Sequence, residues 1–316
     1  MNKKILVSGC AGFLGSHLTR RLLDESHIVT GIDNLSMGKI EFIKPLKKFP
    51  NFNFINIDIN HLFIHDYLLD EHDFDVIFHL AANSDISKSD PCVEYMDTFS
   101  TTIKLLEYAR IYEIKEFVFA SSGSVYGEAY KTGKLIAEDF APLVPISHYG
   151  SAKLASEAFI SAYSFNYGIR SFICRLPNVI GSHATHGVIL DFIKKIKANP
   201  DEMEVLGNGT QNKPYMHVKD VIDAMLFIWQ KAKDDINCYN IAGPDTTSVN
   251  KIADMVIKAM QANTKIRYTG GDRGWKSDSP RYRPDTSKLA QLGYFCNKPS
   301  DIAVHQSINE ILNELR

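Results

Sequence analysis

The chain has 316 residues, 45% apolar and 23% charged, with a formal net charge of −2: enough for two lobes with their own cores, and no basic surface for nucleic acid or acidic tail. Its five cysteines (Cys10, Cys92, Cys174, Cys238, Cys296) are scattered without metal-ligand spacing, which excludes a disulfide framework and a metal site and suits a reducing compartment. No stretch approaches ~18 apolar residues and the first apolar run is short, so a cytoplasmic protein without membrane contact, acting on a small ligand, is expected.

Short runs rich in β-branched residues alternate with longer stretches of helical period, the pattern of βαβ units and a parallel sheet. Lys4–Ser8 reads as the first strand, 14–25 as a helix and 28–32 as the second strand, ending at Asp33. Strands follow at 53–57, 76–80 and 116–121. Between the last two, 91–112 reads as a helix whose stripe is Met96, Phe99, Ile103, Leu106 and Ala109. A helix at 149–167 and a strand at 170–175 complete the series. Beyond Pro177 the rhythm loosens into helices at 187–198, 219–231 and 248–261, joined by Gly/Pro/Asn-rich loops at 207–214 and 270–280. The expected fold class is α/β: a doubly wound parallel sheet of Rossmann type over 1–176 and a smaller C-terminal α+β substrate lobe over 177–316. The boundary is expected to be discontinuous.

The first strand runs into Gly9-Cys10-Ala11-Gly12-Phe13-Leu14-Gly15. Glycines at that spacing let the backbone turn tightly and let a diphosphate approach the N-terminus of the next helix. Alone the pattern is also that of an ordinary tight turn, but here it lies between a predicted strand and helix. Asp33 stands 18 residues beyond Gly15 at the end of the second strand. A carboxylate there accepts from ribose hydroxyls and repels a 2′-phosphate, which points to NAD(H) over NADP(H). Asp33 as a plain turn residue is the competing reading. Asp58, after the third strand, is a candidate acceptor for the adenine amine or a solvated turn residue.

Tyr149-Gly-Ser-Ala-Lys153 sets a phenol and an ammonium one helical turn apart. A tyrosine ionises near pH ~10, so it serves as a base at neutral pH only where positive charge favours the phenolate. The expectation is that Lys153 and an oxidised nicotinamide ring lower its pKa. YxxxK is common by chance, and a core tyrosine beside a snorkelling lysine looks the same. The second element is Ser121-Ser122-Gly123-Ser124-Val125-Tyr126-Gly127 at the end of the fifth strand, the edge of a parallel sheet at which ligands bind.

With these residues in view, the sequence resembles the extended short-chain dehydrogenases/reductases of the NAD-dependent epimerase/dehydratase family, and within it the UDP-hexose 4-epimerase branch. The likeness is carried by GCAGFLGSH (9–17), Asp33, HLAA (79–82), SSGSVYG (121–127), YGSAK (149–153) and RLPNVIG (175–181). It continues through GNGTQNKPYMHVKD (207–220) and GDRGWKSDSPRYRPDTSKLAQLGY (271–294). It implies a Ser–Tyr–Lys triad of Ser122, Tyr149 and Lys153. For NAD it implies Gly9, Gly12, Phe13, Leu14, Gly15, Asp33, Asn34, Asp58, Ile59, Leu80, Ala81, Ala82 and Pro177, together with Tyr149 and Lys153. For a nucleotide-sugar substrate it implies Ser122, Ser124, Asn178, Lys213, Trp275 and Asp278. Asn178 and Lys213 would touch the diphosphate, Lys213 standing where relatives often carry arginine, and Asp278 would touch the nucleotide ribose. Relatives commonly dimerise through the two long helices, here about 93–112 and 149–167, so a homodimer is expected.

Sugar-nucleotide dehydratases of this family carry a Thr-Asp-Glu run where this chain has Ser122-Gly123-Ser124, and decarboxylating relatives usually carry a glutamate. Without either carboxylate, the resemblance implies 4-epimerisation through a transient 4-keto sugar, as with UDP-glucose and UDP-galactose. A net sugar-nucleotide oxidoreductase, 4-dehydrogenase or 4-keto reductase, is the alternative, and a non-catalytic NAD(H)-binding sensor is a remote one. The chain departs from the family at Thr98, where asparagine is common, and at Asn83-Ser84-Asp85, which should lie near the sugar. Tyr282 matches a position where bulk is associated with excluding N-acetylated sugars.

Overall fold

In a computed structural model that describes residues 2–60, 73–83 and 90–316, the apolar runs pair into one seven-stranded sheet. Its strands are β1 (Lys4–Ser8), β2 (Ile28–Asp33), β3 (Phe52–Asn56), β4 (Val76–His79), β5 (Glu116–Ser122), β6 (Arg170–Leu176) and Ile236–Asn240. Their order is Ile236–Asn240, β6, β5, β4, β1, β2, β3. β1 pairs in parallel with both β2 and β4, and the β2–β3 and β4–β5 pairs are also parallel. This is the doubly wound Rossmann arrangement. Ile5, Leu6 and Val7 of β1 and Ile77 and Phe78 of β4 are fully buried, as central strands covered on both faces must be.

Packing divides the chain into two units that interleave in sequence. The first holds the chain up to Ser122, His148–Arg175 and Met225–Tyr239. Its core joins Leu6, Ile32, Ile77, Phe117 and Ile173 of the sheet to Leu105, Leu106 and Ile160 of the flanking helices. The second holds Gly123–Ser147, Leu176–Ala224 and Asn240–Arg316. There the helices Val188–Ala198, Val249–Ala259 and Ser300–Glu314 bury Ile193, Val256 and Ile308 around short two-stranded ladders. Relative to a boundary at 176, Gly123–Ser147 sides with the second unit and Met225–Tyr239 with the first. No helix among the described residues is long and apolar enough to cross a membrane.

The long helix expected at 91–112 begins at Asp90, whose carboxylate accepts from the Cys92 and Val93 amides. It runs as Pro91–Glu94, a π-helical segment Tyr95–Ser100, and Thr101–Ile111. The π segment advances the register by a residue, and the expected apolar stripe fails in the first half. Met96 is 42% exposed, while the inward side chains are Glu94, Thr98, Thr101 and Thr102. In the second half Leu105, Leu106 and Ala109 are buried.

Candidate active site

β1 ends in the glycine loop. Gly9 has φ +71°, and a Cβ there would lie 2.8 Å from the Ala81 amide nitrogen after β4. At Gly15 a Cβ would fall 1.9 Å from the Gly9 carbonyl oxygen, so both positions exclude any side chain. The helix Phe13–Asp24 starts at Gly12 with no side chain capping it, which leaves its positive end to an anion such as a diphosphate.

Asp33 closes β2 with its carboxylate buried. It accepts from the amides of Ala11 at 2.9 Å and Leu35 at 2.8 Å. Burial raises its pKa, and these amide hydrogen bonds pull the other way. Asn34 donates to Asp58 at 3.2 Å, and Ile59 is buried. After β4 the Leu80 amide donates to the Ser8 carbonyl, and Leu80, Ala81 and Ala82 stay partly exposed beside Gly9. Phe13, Leu14, Gly9, Gly12, Gly15, Asp33, Asp58, Ile59 and Leu80–Ala82 thus all stand at the carboxyl ends of the first four strands. These residues fit NAD: an uncapped helix start for the diphosphate, and a buried carboxylate at the place where a 2′-phosphate would sit.

Ser122 is the last residue of β5, and Tyr149 and Lys153 lie in the first turns of the helix His148–Tyr167. The Ser122 and Tyr149 side chains are hydrogen bonded. Lys153 is 2% exposed, donates to the Ala120 carbonyl at 2.7 Å, and stands 5.7 Å from the centre of the Tyr149 ring. The first unit alone therefore brings the three triad candidates together. The electrostatics differ from the sequence expectation. Desolvation pushes the Tyr149 phenol up to about 12, with the Ser122 hydrogen bond opposing and the Glu94 charge adding. Desolvation also pulls Lys153 down to about 7, against the attraction of Glu94 and Glu157. Burial outweighs the Ser122 hydrogen bond, so the net effect of these groups is a raised tyrosine pKa.

Two buried carboxylates behind the pair escaped the sequence reading. Glu157, one turn beyond Lys153, accepts from Ser121 and forms a buried ion pair with Arg175 of β6 at 2.7 Å. Glu94 accepts from Asn83 at 2.9 Å and Thr98 at 3.1 Å. In the sequence each reads as a carboxylate on the wet face of its helix. Ser84 and Asp85, expected near the sugar, lie outside the described residues.

In the second unit Ser124 sits on the turn Gly123–Tyr126. Tyr126 donates to Asn240 at 2.8 Å, and its ring stacks on Tyr282 at 5.9 Å. The Tyr282 ring covers Gly123 so closely that a Cβ there would lie 2.4 Å from it. Position 123 has no room for a carboxylate while that ring stays in place. Pro177 and Asn178 are partly exposed, Asn178 on a short strand paired with Tyr215.

Lys213, Trp275 and Asp278 come together in this unit. The Lys213 ammonium donates to Asp278 and lies 5.5 Å from the Trp275 ring. Asp278 also accepts from the Gly274 amide at 3.0 Å. Arg273 is taken up by Glu128, Tyr130 and the Asp278 carbonyl. Around this cluster Gln211 Oε1, Asn212 Oδ1 and Trp275 Nε1 are buried with no partner among the described residues. Such atoms cost free energy unless a ligand or water completes them, which suits a polar ligand such as a nucleotide. Gln211 is the third residue the sequence reading missed.

Residues 5–242 match the model of the NAD dependent epimerase/dehydratase family. The chain is 34% identical over 232 residues to the UDP-glucose 4-epimerase of Mycolicibacterium smegmatis, covering 71% of this chain and 72% of that one. A crystal structure of a UDP-galactose 4-epimerase superposes with a TM-score of 0.86 at 32% identity, covering 99% of this chain and 100% of the other. The UDP-glucuronic acid 4-epimerase of Bacillus cereus, in complex with UDP-glucuronic acid and NAD, gives 0.88 at 27% identity over the same shares.

Proposed function

The chain belongs to the NAD dependent epimerase/dehydratase family, and from that premise we propose that it inverts C4 of a nucleotide-activated sugar of the UDP-glucose/UDP-galactose kind. It is an NAD-dependent enzyme. The observation that carries the reading is the cluster of Ser122, Tyr149 and Lys153 with no carboxylate at positions 122–124. One proton relay and a reversible hydride transfer are all this chemistry needs, and no residue of that turn offers the acid and base of an elimination.

Bound NAD+ would supply a reversible acceptor for the C4 hydride and a positive charge that favours the phenolate. The glycine loop with Phe13 and Leu14 would hold its diphosphate, and Asp33 its adenosine ribose. Asn34, Asp58, Ile59, Leu80–Ala82 and Pro177 would line the rest of its path. Tyr149 accepts the proton of the 4-hydroxyl and later gives it back. Ser122 shares that oxygen through its hydrogen bond with Tyr149. Lys153 would favour the phenolate only in its protonated form. Asn178 and Lys213 would bind the sugar diphosphate, and Trp275 and Asp278 the nucleoside, with Ser124 beside the sugar. Since the cycle returns its electrons, no cofactor is consumed. Free cysteines fit a cytoplasmic setting, and the exposed apolar faces of the two long helices fit a homodimer.

The test is to incubate the purified protein, with no cofactor added, with UDP-glucose, UDP-galactose and their N-acetyl and uronate counterparts, following the anomeric protons by NMR. Appearance of the C4 epimer from either direction is expected. A 4-keto product that accumulates only with excess NAD(H) would replace this reading with a net oxidoreductase.

A further inference from the structure

We propose that Glu94 is a positioning residue of the reaction proposed above: its carboxylate, gripped by Asn83 and Thr98 where its helix packs on the helix of Tyr149 and Lys153, fixes the charge state of that pair. The inference rests on that reading of Tyr149 and Lys153. Glu94 is 1% exposed, and a carboxylate so far from water persists only where it is hydrogen bonded and answered by positive charge. Asn83 Nδ2 donates to one carboxylate oxygen and Thr98 Oγ1 to the other. Thr98 reaches it from one turn further on, within the π-helical segment Tyr95–Ser100, and both side chains are buried.

The helix His148–Tyr167, packed against this segment, presents Tyr149, Lys153 and Glu157. Glu157 is already matched by Arg175. His79 of β4 is wholly buried and driven toward its neutral form by desolvation and Lys153. Asp97, on Glu94's own segment, has its pKa raised by burial and by Asp58. Of these groups it is Glu94 that acts on both members of the pair. It attracts the Lys153 ammonium and disfavours the Tyr149 phenolate. Turnover needs the phenol able to ionise while Lys153 keeps its proton, so Glu94 holds both limits of the active pH range high.

The experiment is the pH profile of kcat/KM for Glu94→Gln against the native enzyme as purified. Both limbs are expected to move to lower pH by about one unit, the effect of losing a nearby charge. Glu94→Asp, which keeps the charge, should leave them in place. The phenolate absorbance of Tyr149, read as the difference from Tyr149→Phe, should titrate earlier in Glu94→Gln and needs no substrate. That titration still decides the role of Glu94 if no sugar on the panel is turned over, an outcome that would sink only the epimerase reading. Limbs and phenolate that stay put while kcat falls would overturn the proposal. Glu94→Met is the second neutral variant. If neither neutral variant folds while Glu94→Asp does, the carboxylate is structural and the proposal fails.

Discussion

Lys153 is an ammonium asked to live among Phe119, Tyr149 and the Ala120 carbonyl, with 2% of its surface in water. Burial brings its pKa down from 10.5 to about 7, and the sign of the consequence follows from proton counting. Between those two values the unfolded chain holds a proton that the folded chain has released. Stability from this residue therefore rises with pH across the window from about 7 to 10.5 and carries its full penalty below it. Lys153→Met, similar in length and without charge, is expected to abolish turnover yet raise the melting temperature by on the order of several degrees at pH 6. The gain should shrink as the pH approaches 9. Thermal denaturation of both proteins from pH 6 to 9 checks this, and a variant less stable than native at pH 6 contradicts it. The same balance explains what the sequence leaves out: a YxxxK spacing reports that two groups are close, but not how much water they have lost.

The unit of strand, glycine loop and helix was legible because its demands are local. β1 is a short apolar run, the loop needs residues without side chains, and the helix starts where the glycines stop. Gly15 is the tightest of these positions, its missing Cβ 1.9 Å from the Gly9 oxygen. Gly15→Ala must push the loop off the helix, at a cost of roughly 1–3 kcal/mol in stability. It should also leave the purified protein with far less bound NAD per chain than native, read by absorbance after acid release; native occupancy would contradict the steric argument. Elements whose pattern depends on distant partners were not legible. Ile236–Asn240 joins the sheet beside β6, yet its sequence INCYN shows no apolar run, because Asn237 is buried to donate to the Ser171 carbonyl at 3.1 Å. The helix Ser300–Glu314 buries Ser300 and Ser307 among its apolar residues, which blurs its stripe. Glu94 was invisible for the same reason: in a sequence a carboxylate on a helix reads as its wet face, while this one is buried with its oxygens held by Asn83 and Thr98.

The same helix sets what the whole molecule shows to a partner. With polar groups facing inward, the apolar residues of the first long helix are left on its outer side. Val93, Met96 and Phe159 are each more than 40% exposed. Phe99 meets Phe159 edge to face at 5.3 Å and Tyr95 at 6.0 Å, so the two helices share one continuous aromatic face. Water penalises such a patch, and a face made from two adjacent helices can meet its own copy across a twofold axis, giving each chain the same contacts. Phe159 stands at the centre of that face, on the side of its helix away from the buried Lys153, Ser156 and Ile160. Phe159→Glu would place two carboxylates opposite each other in a desolvated interface, an arrangement that costs several kcal/mol. The native protein is expected to run as a dimer in light scattering and Phe159→Glu as a monomer, with bound NAD unchanged because the glycine loop lies at the ends of other strands. A native monomer, or a variant that still dimerises, would assign this face to something other than a second copy of the chain.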